Sequence, residues 1–499
     1  MAQIVWLKRD LRSDDHAALA AAARAGPVVL LYVYEPDVYD APEHDPSHLA
    51  FVDESLAELD VALRSYGGRI TYRHGTMPEV LARLSEDVPI DALWSHEETG
   101  TDATYRRDRR VRAWCRSRGV PWTEIPQFGV FRRQSTRDGW AKRWERRMSE
   151  PLARLPDVIA FASTSPERRR TAADLGLASS RKDEAQSGGS RRARALLAGF
   201  LTERGVNYRA DMSSPVAGST GCSRLSAHIA YGTISLREVY RQTRARDVEV
   251  RAALEAGEPI DRRWAGSLSS FGGRLHWHCH FMQKLEDQPS LEFVNQARSY
   301  DGLRENDFDE ARFAAWCAGR TGYPMVDACM RALHRSGWVN FRMRAMLMSF
   351  ASYHLWLHWR PTAIYLAQQF LDFEAGIHYP QSQMQSGVTG INAIRIYSPA
   401  KQARDNDPTG TYIRRYVPEL AAVPDAYLAE PHLMPPLLAE SLGFRIGVDY
   451  PLPIVDHLEA VAKAKARIYE IRRRTSSRSE AASVYQKHGS RKPTPKRPK

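Results

Sequence analysis

The chain has 499 residues, 43% of them hydrophobic, and a mean hydropathy of −0.49, enough for about two to four domains with buried cores. No apolar run reaches the roughly 18 residues of a membrane helix, and charges follow at once in the opening MAQIVWLKRD, so neither a membrane span nor a signal peptide is indicated. Five cysteines without a C-x-x-C pair argue against a disulfide framework or a metal cluster and for a reducing, cytoplasmic compartment, while much of the net charge of +12 lies at the C-terminus.

Residues 1–135 alternate short apolar runs with helical patterns: Ile4–Leu7, Asp14–Ala25, Val28–Tyr34, Arg69–Tyr72, Val80–Leu84, Ile90–Trp94 and Ala103–Arg118. Apolar strands that do not alternate, set between amphipathic helices, predict a parallel sheet covered on both faces. Gly26 and Gly119 stand where helix C-caps belong. The expected fold class is an α/β doubly wound parallel-sheet N-terminal domain, although no G-x-G-x-x-G follows the first strand. Residues 136–195, which shift to Ser, Gly, Glu, Lys and Arg from about Phe161, read as an exposed interdomain linker. Residues 196–474 then carry three-to-four spacing, at 194–204, 224–231, 236–242, 273–285, 308–318, 324–336, 340–356 and 454–472, which predicts an all-α domain. Residues 475–499 read as a basic disordered tail; from Ile471 onward there are ten Lys/Arg against one Glu, which suits DNA, RNA or a solubilising terminus.

Several stretches could carry chemistry. In STGCSRLSAHIAYGTIS (219–235) hydroxyls and Arg224 precede a helical pattern, able to hold a phosphate or merely to cap the helix. Arg342 and Arg344 interrupt an apolar helix and require carboxylate partners, for which Asp372 and Glu374 of LDFEAG are candidates. His276, His278 and His280 alternate and cannot share a helix face, and His354 and His358 lack the Glu of an H-E-x-x-H, so no metal site is expected. Arg106, Arg107, Arg109 and Arg110 make a basic helix face.

Five segments, VWLKRDLRSDDHAAL, SRLSAHIAYGTIS, GRTGYPMVDACMRAL, SGWVNFRMR and RIYSPAKQARDNDPTGTYIRRYVPEL, resemble the photolyase/cryptochrome flavoproteins. The resemblance runs from residue 2 to about 470, apart from the linker. It implies an antenna domain followed by a helical FAD-binding domain. Tyr208, Thr220, Ser223, Arg224, Leu225 and Ser226 then fall on flavin-binding positions, Arg344 and Asp372 on an ion pair beside the isoalloxazine, and Glu374 replaces an Asp near its pyrimidine edge. His378 or Tyr379 falls on the position facing flavin N5. Trp277 matches an aromatic that packs on a flipped pyrimidine pair, Arg274 stands in place of a lesion-bonding Glu, and Asn340 and Phe341 replace substrate-side neighbours. Of the family's Trp electron relay only the middle member, Trp359, is kept; the flavin-proximal place reads Ser382 or Gln383 and the surface place Asn306. Trp338, Trp356, Tyr353 and Tyr379 offer another route, and a second, antenna chromophore is possible, with the arginine face as one way to hold an anionic one.

What the resemblance implies is a monomer that splits UV-induced pyrimidine dimers, cyclobutane dimers foremost, in UV-damaged DNA by light-driven electron transfer from FAD. The alternative is a cryptochrome-like blue-light photoreceptor without repair activity.

Overall fold

The computed structural model describes residues 1–134, 136–165, 167–177 and 181–489. Five strands, β1 (Ala2–Leu7), β2 (Val28–Tyr34), β3 (Ile70–His74), β4 (Ile90–His96) and β5 (Trp122–Ile125), form an all-parallel sheet in the order β3-β2-β1-β4-β5. The lack of alternation in β1 and β2 has the expected cause. Ile4, Trp6, Val29 and Leu31 pack with Val80, Leu84 and Val111 on one face, while Val5, Leu7, Leu30 and Tyr32 pack with Leu19, Phe51 and Leu56 on the other. Gly119 caps its helix in the left-handed conformation. Gly26 does not; its φ of 162° is extended because the chain runs straight through Pro27 into β2.

The second sheet face also receives Ala227, Tyr231 and Leu371 from the helical region, so both parts share a core. At this seam the buried Arg12 donates to the carbonyl of Gly232 (3.0 Å), and Leu11 N–H to that of Tyr231 (3.2 Å). Gly232 has φ +65°, and a Cβ there would lie 2.2 Å from the Arg9 carbonyl oxygen, so only glycine allows the approach.

Parts of the segment 136–195 are packed against the fold rather than exposed. The helix Trp140–Ser149 buries Trp140, Trp144 and Met148 against the helical region, and residues 160–162 bond to Val28 as a short parallel bridge. Its charges meet carboxylates or arginines: Arg169 meets Asp53, Arg181 meets Glu54, and Glu184 meets Arg335 and Arg415.

The helical region contains long helices at Leu236–Glu255, Arg263–Asp287, Pro324–Ser336 and His457–Arg473. Phe341–Ser349 continues as a π turn through Phe350–His354. The stretch Thr475–His488 is a helix rather than a disordered tail. It is held because Glu480 accepts from the N–H groups of Arg298 and Ser299 (2.6 and 2.9 Å) and buried His488 meets Gln288 (2.8 Å). Residues 490–499 of that expected tail lie outside the described residues. No helix among the described residues is long and apolar enough to cross a membrane.

Candidate active site

Arg344, one turn into Phe341–Ser349, donates from Nη1 and Nη2 to Oδ1 and Oδ2 of Asp372 at 2.9 and 2.8 Å, and from Nε to the Val339 carbonyl at 2.8 Å. Its guanidinium lies 4.1 Å from the Phe370 ring centroid. Burial opposes the Asp372 charge, yet Arg344 holds that carboxyl below its usual range. Arg342 instead donates to Ser213 Oγ (3.1 Å). Glu374 has a partner that the sequence pattern did not signal: its Oε2 lies 2.8 Å from His278 Nε2. Burial disfavours the imidazolium, but the Glu374 charge outweighs it and lifts the His278 pKa to about 10. His278 is therefore a half-buried cation beside the buried Glu374.

The hydroxyl-rich segment lies across from this pair. Arg224 takes φ +63° and stacks its guanidinium 3.8 Å from the Trp338 ring centroid. It makes no ion pair among the described residues, and burial lowers its pKa to about 10. Asp372 acts on it only from beyond ion-pair distance, so Arg224 is available to an external anion such as a pyrophosphate, and the residues present suit FAD. Arg204 ties the loop down by donating to the carbonyls of Thr220 and Cys222 at 2.6 and 2.8 Å. The hydroxyl of Thr220 donates to Ala217 O, that of Ser223 accepts from Leu225 N–H, and Ser226 opens a short helix behind the buried Leu225. Tyr208 is packed edge-on against Phe200 and Phe271.

Arg274 and Trp277 lie three residues apart on Arg263–Asp287 and so share a face. Trp277 is 38% exposed and stacks on Phe281, and Phe341, 46% exposed, has the Arg274 guanidinium 5.6 Å from its centroid. Asn340 is buried, not surface-facing; it donates to the Met212 carbonyl (3.1 Å) while its Oδ1 lacks a protein partner, and its Cβ faces Gly218. The rim of exposed aromatics and the Arg344–Asp372 pair thus rest on the same two helices and the segment beside them.

His378 and Tyr379 diverge. The half-buried His378 donates from Nε2 to the Ala363 carbonyl (2.7 Å), and burial lowers its pKa to about 4, so it is neutral at physiological pH. Tyr379 is fully buried and donates its hydroxyl hydrogen to Glu43. Trp359 is buried, with its indole N–H on Asn295 Oδ1 (2.7 Å). Gln383 makes a polar clamp, accepting from the N–H of Gln296 and donating to the carbonyls of Leu291 and Val294. Trp356 lies between the guanidinium groups of Arg304 and Arg467, which disfavours a positive hole on its ring.

A pocket opens at the carboxyl edge of the sheet, between the two parts of the chain, lined by Tyr39, Glu43, His44, Glu98, Arg107 and Phe373. Arg107 is no solvated arginine; it is buried between Glu35 (3.0 Å) and Glu98 (2.5 Å). Arg106 and Arg109 pair with Asp102, and Arg110 with Asp37, so the four arginines do not form one anion-binding face. Burial raises the Glu35 pKa to about 7. Asp10, His16 and His96 also converge, with His96 Nδ1 at 2.6 Å and His16 Nε2 at 3.2 Å from Asp10 Oδ2. Glu35, Glu98 and Arg107, and likewise His96 with Asp10 and His16, come together from distant parts of the chain, so no spacing pattern signalled either group.

The family described as DNA photolyase matches residues 3–152, and that described as the FAD binding domain of DNA photolyase matches residues 271–470. The deoxyribodipyrimidine photo-lyase of Streptomyces griseus is 30% identical over 92% of this chain and 97% of its own length. A cryptochrome DASH of Gloeobacter violaceus is 28% identical over 93% and 95%. The crystal structure of a bacterial class III photolyase from Agrobacterium tumefaciens superimposes with a TM-score of 0.81 at 26% identity, covering 95% of this chain and 98% of that one. With its parallel-sheet domain, its FAD-binding helical domain and these relatives, the chain belongs to the photolyase/cryptochrome family of flavoproteins.

Proposed function

We propose that this protein repairs pyrimidine dimers in UV-damaged DNA with blue light. The observation that carries the reading is the exposed pair Trp277 and Phe341, with Arg274 between them, on the helices that also carry His278 and Arg344. A soluble surface places two large aromatics and a cation beside a cofactor cleft when a flat apolar ligand with flanking phosphates is to be held. A dimer cannot react inside the stacked duplex, so it is flipped into the site. The bound, reduced FAD would supply the electron chemistry by which the dimer is split. Trp277 and Phe341 offer ring faces to the extruded bases, and Arg274 offers a guanidinium to a phosphate or a base carbonyl oxygen. Arg344 and Asp372 would hold the isoalloxazine, Glu374 its pyrimidine edge, and Arg224 with Thr220, Ser223 and Ser226 the pyrophosphate. Tyr208 and Leu225 wall that side. His378, neutral and half-buried, is the residue set to face N5. The pocket at the sheet edge is the place for an antenna chromophore.

The binding step is tested in the dark. The FAD-loaded protein is expected to prefer a UV-irradiated oligonucleotide to an undamaged one, and Trp277→Ala is expected to remove that preference while retaining FAD. Equal affinity of the wild type for both oligonucleotides would instead favour a photoreceptor.

A further inference from the structure

Arg304 is only 2% exposed, yet its Nε and Nη2 meet no acceptor among the described residues. The nearby carboxylates are engaged elsewhere. Glu305 accepts from the Arg304 backbone N–H (2.9 Å) and faces His358 (3.7 Å), and Asp307 pairs with Arg467 (2.8 Å). What surrounds the guanidinium instead is aromatic: its centre lies 4.4 Å from the Trp356 ring centroid and 5.7 Å from that of Tyr353. Each ring brings a buried polar atom that lacks a partner among the described residues, the Trp356 indole N–H and the Tyr353 hydroxyl. Arg467 adds a second guanidinium 4.5 Å from the Trp356 centroid. Burial, helped by repulsion from Arg467, lowers the Arg304 pKa to about 10, even though Tyr353 and Glu305 act the other way. Stacking on ring faces offsets part of the cost of burying a cation but leaves its N–H groups unbonded.

We infer that Arg304, Tyr353 and Trp356 form a binding site for a small inorganic monoanion of the chloride type. The inference is independent of the repair reading. Arg304 Nε and Nη2 and Trp356 Nε1 can only donate, and the Tyr353 hydroxyl can donate as well, so the group that satisfies them is an acceptor. A buried cation without a carboxylate partner asks that this acceptor be negatively charged. The enclosure selects among anions. Phosphate or sulfate gives up far more hydration than a halide on entering a place walled by an indole and a phenol, and four donors do not replace it. Arg304 belongs to the loop after Arg298–Tyr300, Tyr353 to the π turn, and Trp356 to the residues just beyond it. Trp356 takes φ +59°, a conformation that bulky residues rarely adopt and that sets its ring against both guanidinium groups. A bound anion therefore fastens the loop to the π turn and relieves the repulsion between Arg304 and Arg467, and the protein that holds it is the more stable form.

The test uses the full-length, FAD-loaded protein in the dark and without DNA, so failure of the repair reading does not affect its outcome. Crystals soaked in bromide are expected to show an anomalous-scattering peak in contact with Arg304 Nε or Nη2 and with the Tyr353 hydroxyl or the Trp356 N–H. In solution, exchanging gluconate for chloride at constant ionic strength is expected to raise the melting temperature to a plateau. Arg304→Met, which keeps an unbranched side chain and removes its charge, is expected to lose that rise. Trp356→Phe, which keeps a ring face and removes the N–H, is expected to need several-fold more chloride to reach the plateau, and it tests the site even where Arg304→Met does not fold. Absence of the bromide peak at Arg304, or a chloride response unchanged in the folded variants, would overturn the proposal. A bromide peak with no effect of chloride on wild-type melting would mean an adventitious ion only and would overturn it equally.

Discussion

Two buried charge pairs set the character of the cleft. Asp372→Asn leaves Arg344 without its counter-charge; for a buried pair that loss is on the order of 3–5 kcal/mol, less here because the guanidinium keeps some solvent contact. The expected result is protein purified with little FAD, read from the ratio of flavin to protein absorbance. His278 provides a second test, because its raised pKa depends on Glu374. Its contribution to stability is complete below an unfolded value of roughly 6.5 and is lost as pH rises through about 10. By NMR, His278 should stay protonated to about pH 10 in the wild type. In Glu374→Gln the charge that most opposes burial is gone, and the imidazolium should lose its proton at a clearly lower pH than in the wild type. The Arg344–Asp372 pair was legible because arginines in an apolar helix need carboxylates, and nearby LDFEAG held two. That Glu374 would take His278 was not legible, since 96 residues separate them and no spacing rule connects them.

Among the elements, the C-terminal helix Thr475–His488 departs most from expectation. Its composition is polar and basic, and its order comes from tertiary contacts that local pattern does not encode: Glu480 on two loop amides, His488 on Gln288, and Val484 and Ser477 buried beneath it. Removing 475–499 should therefore lower the melting temperature, because the bonds made by Glu480 and His488 and the burial of Val484 are lost together. Removing only 490–499 should leave the melting temperature unchanged and, by deleting five Lys/Arg, weaken binding to undamaged DNA at low salt. The strands were legible because parallel strands buried on both faces are plain apolar runs. The bridge of 160–162 to Val28 was hidden by the charged sequence around it, whose arginines spend their charge on Asp53, Glu54 and Glu58.

At the scale of the whole molecule, the two parts are joined by buried polar groups, and this makes the protein sensitive to acid. Burial depresses His96 and His378 to about 4, and His48, at the seam on the Phe370 carbonyl, to about 3. These histidines stay neutral in the fold but protonate in the unfolded chain below roughly 6.5. Stability is therefore expected to fall as pH drops from about 6.5 toward 4, each such histidine removing up to about 1.4 kcal/mol per pH unit. Denaturant unfolding across that range should show the decline; a flat profile would mean these histidines are not buried as described. The domain order and the FAD-binding half were readable from sequence because their motifs are long and contiguous. The seam was not, since Tyr379 and Glu43 meet across 336 residues. The central claim of light-driven repair is tested most directly on chemically reduced protein mixed, without oxygen, with an oligonucleotide containing a thymine dimer. Under blue light, thymine absorbance is expected to recover relative to a dark control. No recovery from protein whose spectrum shows fully reduced FAD would contradict the repair function.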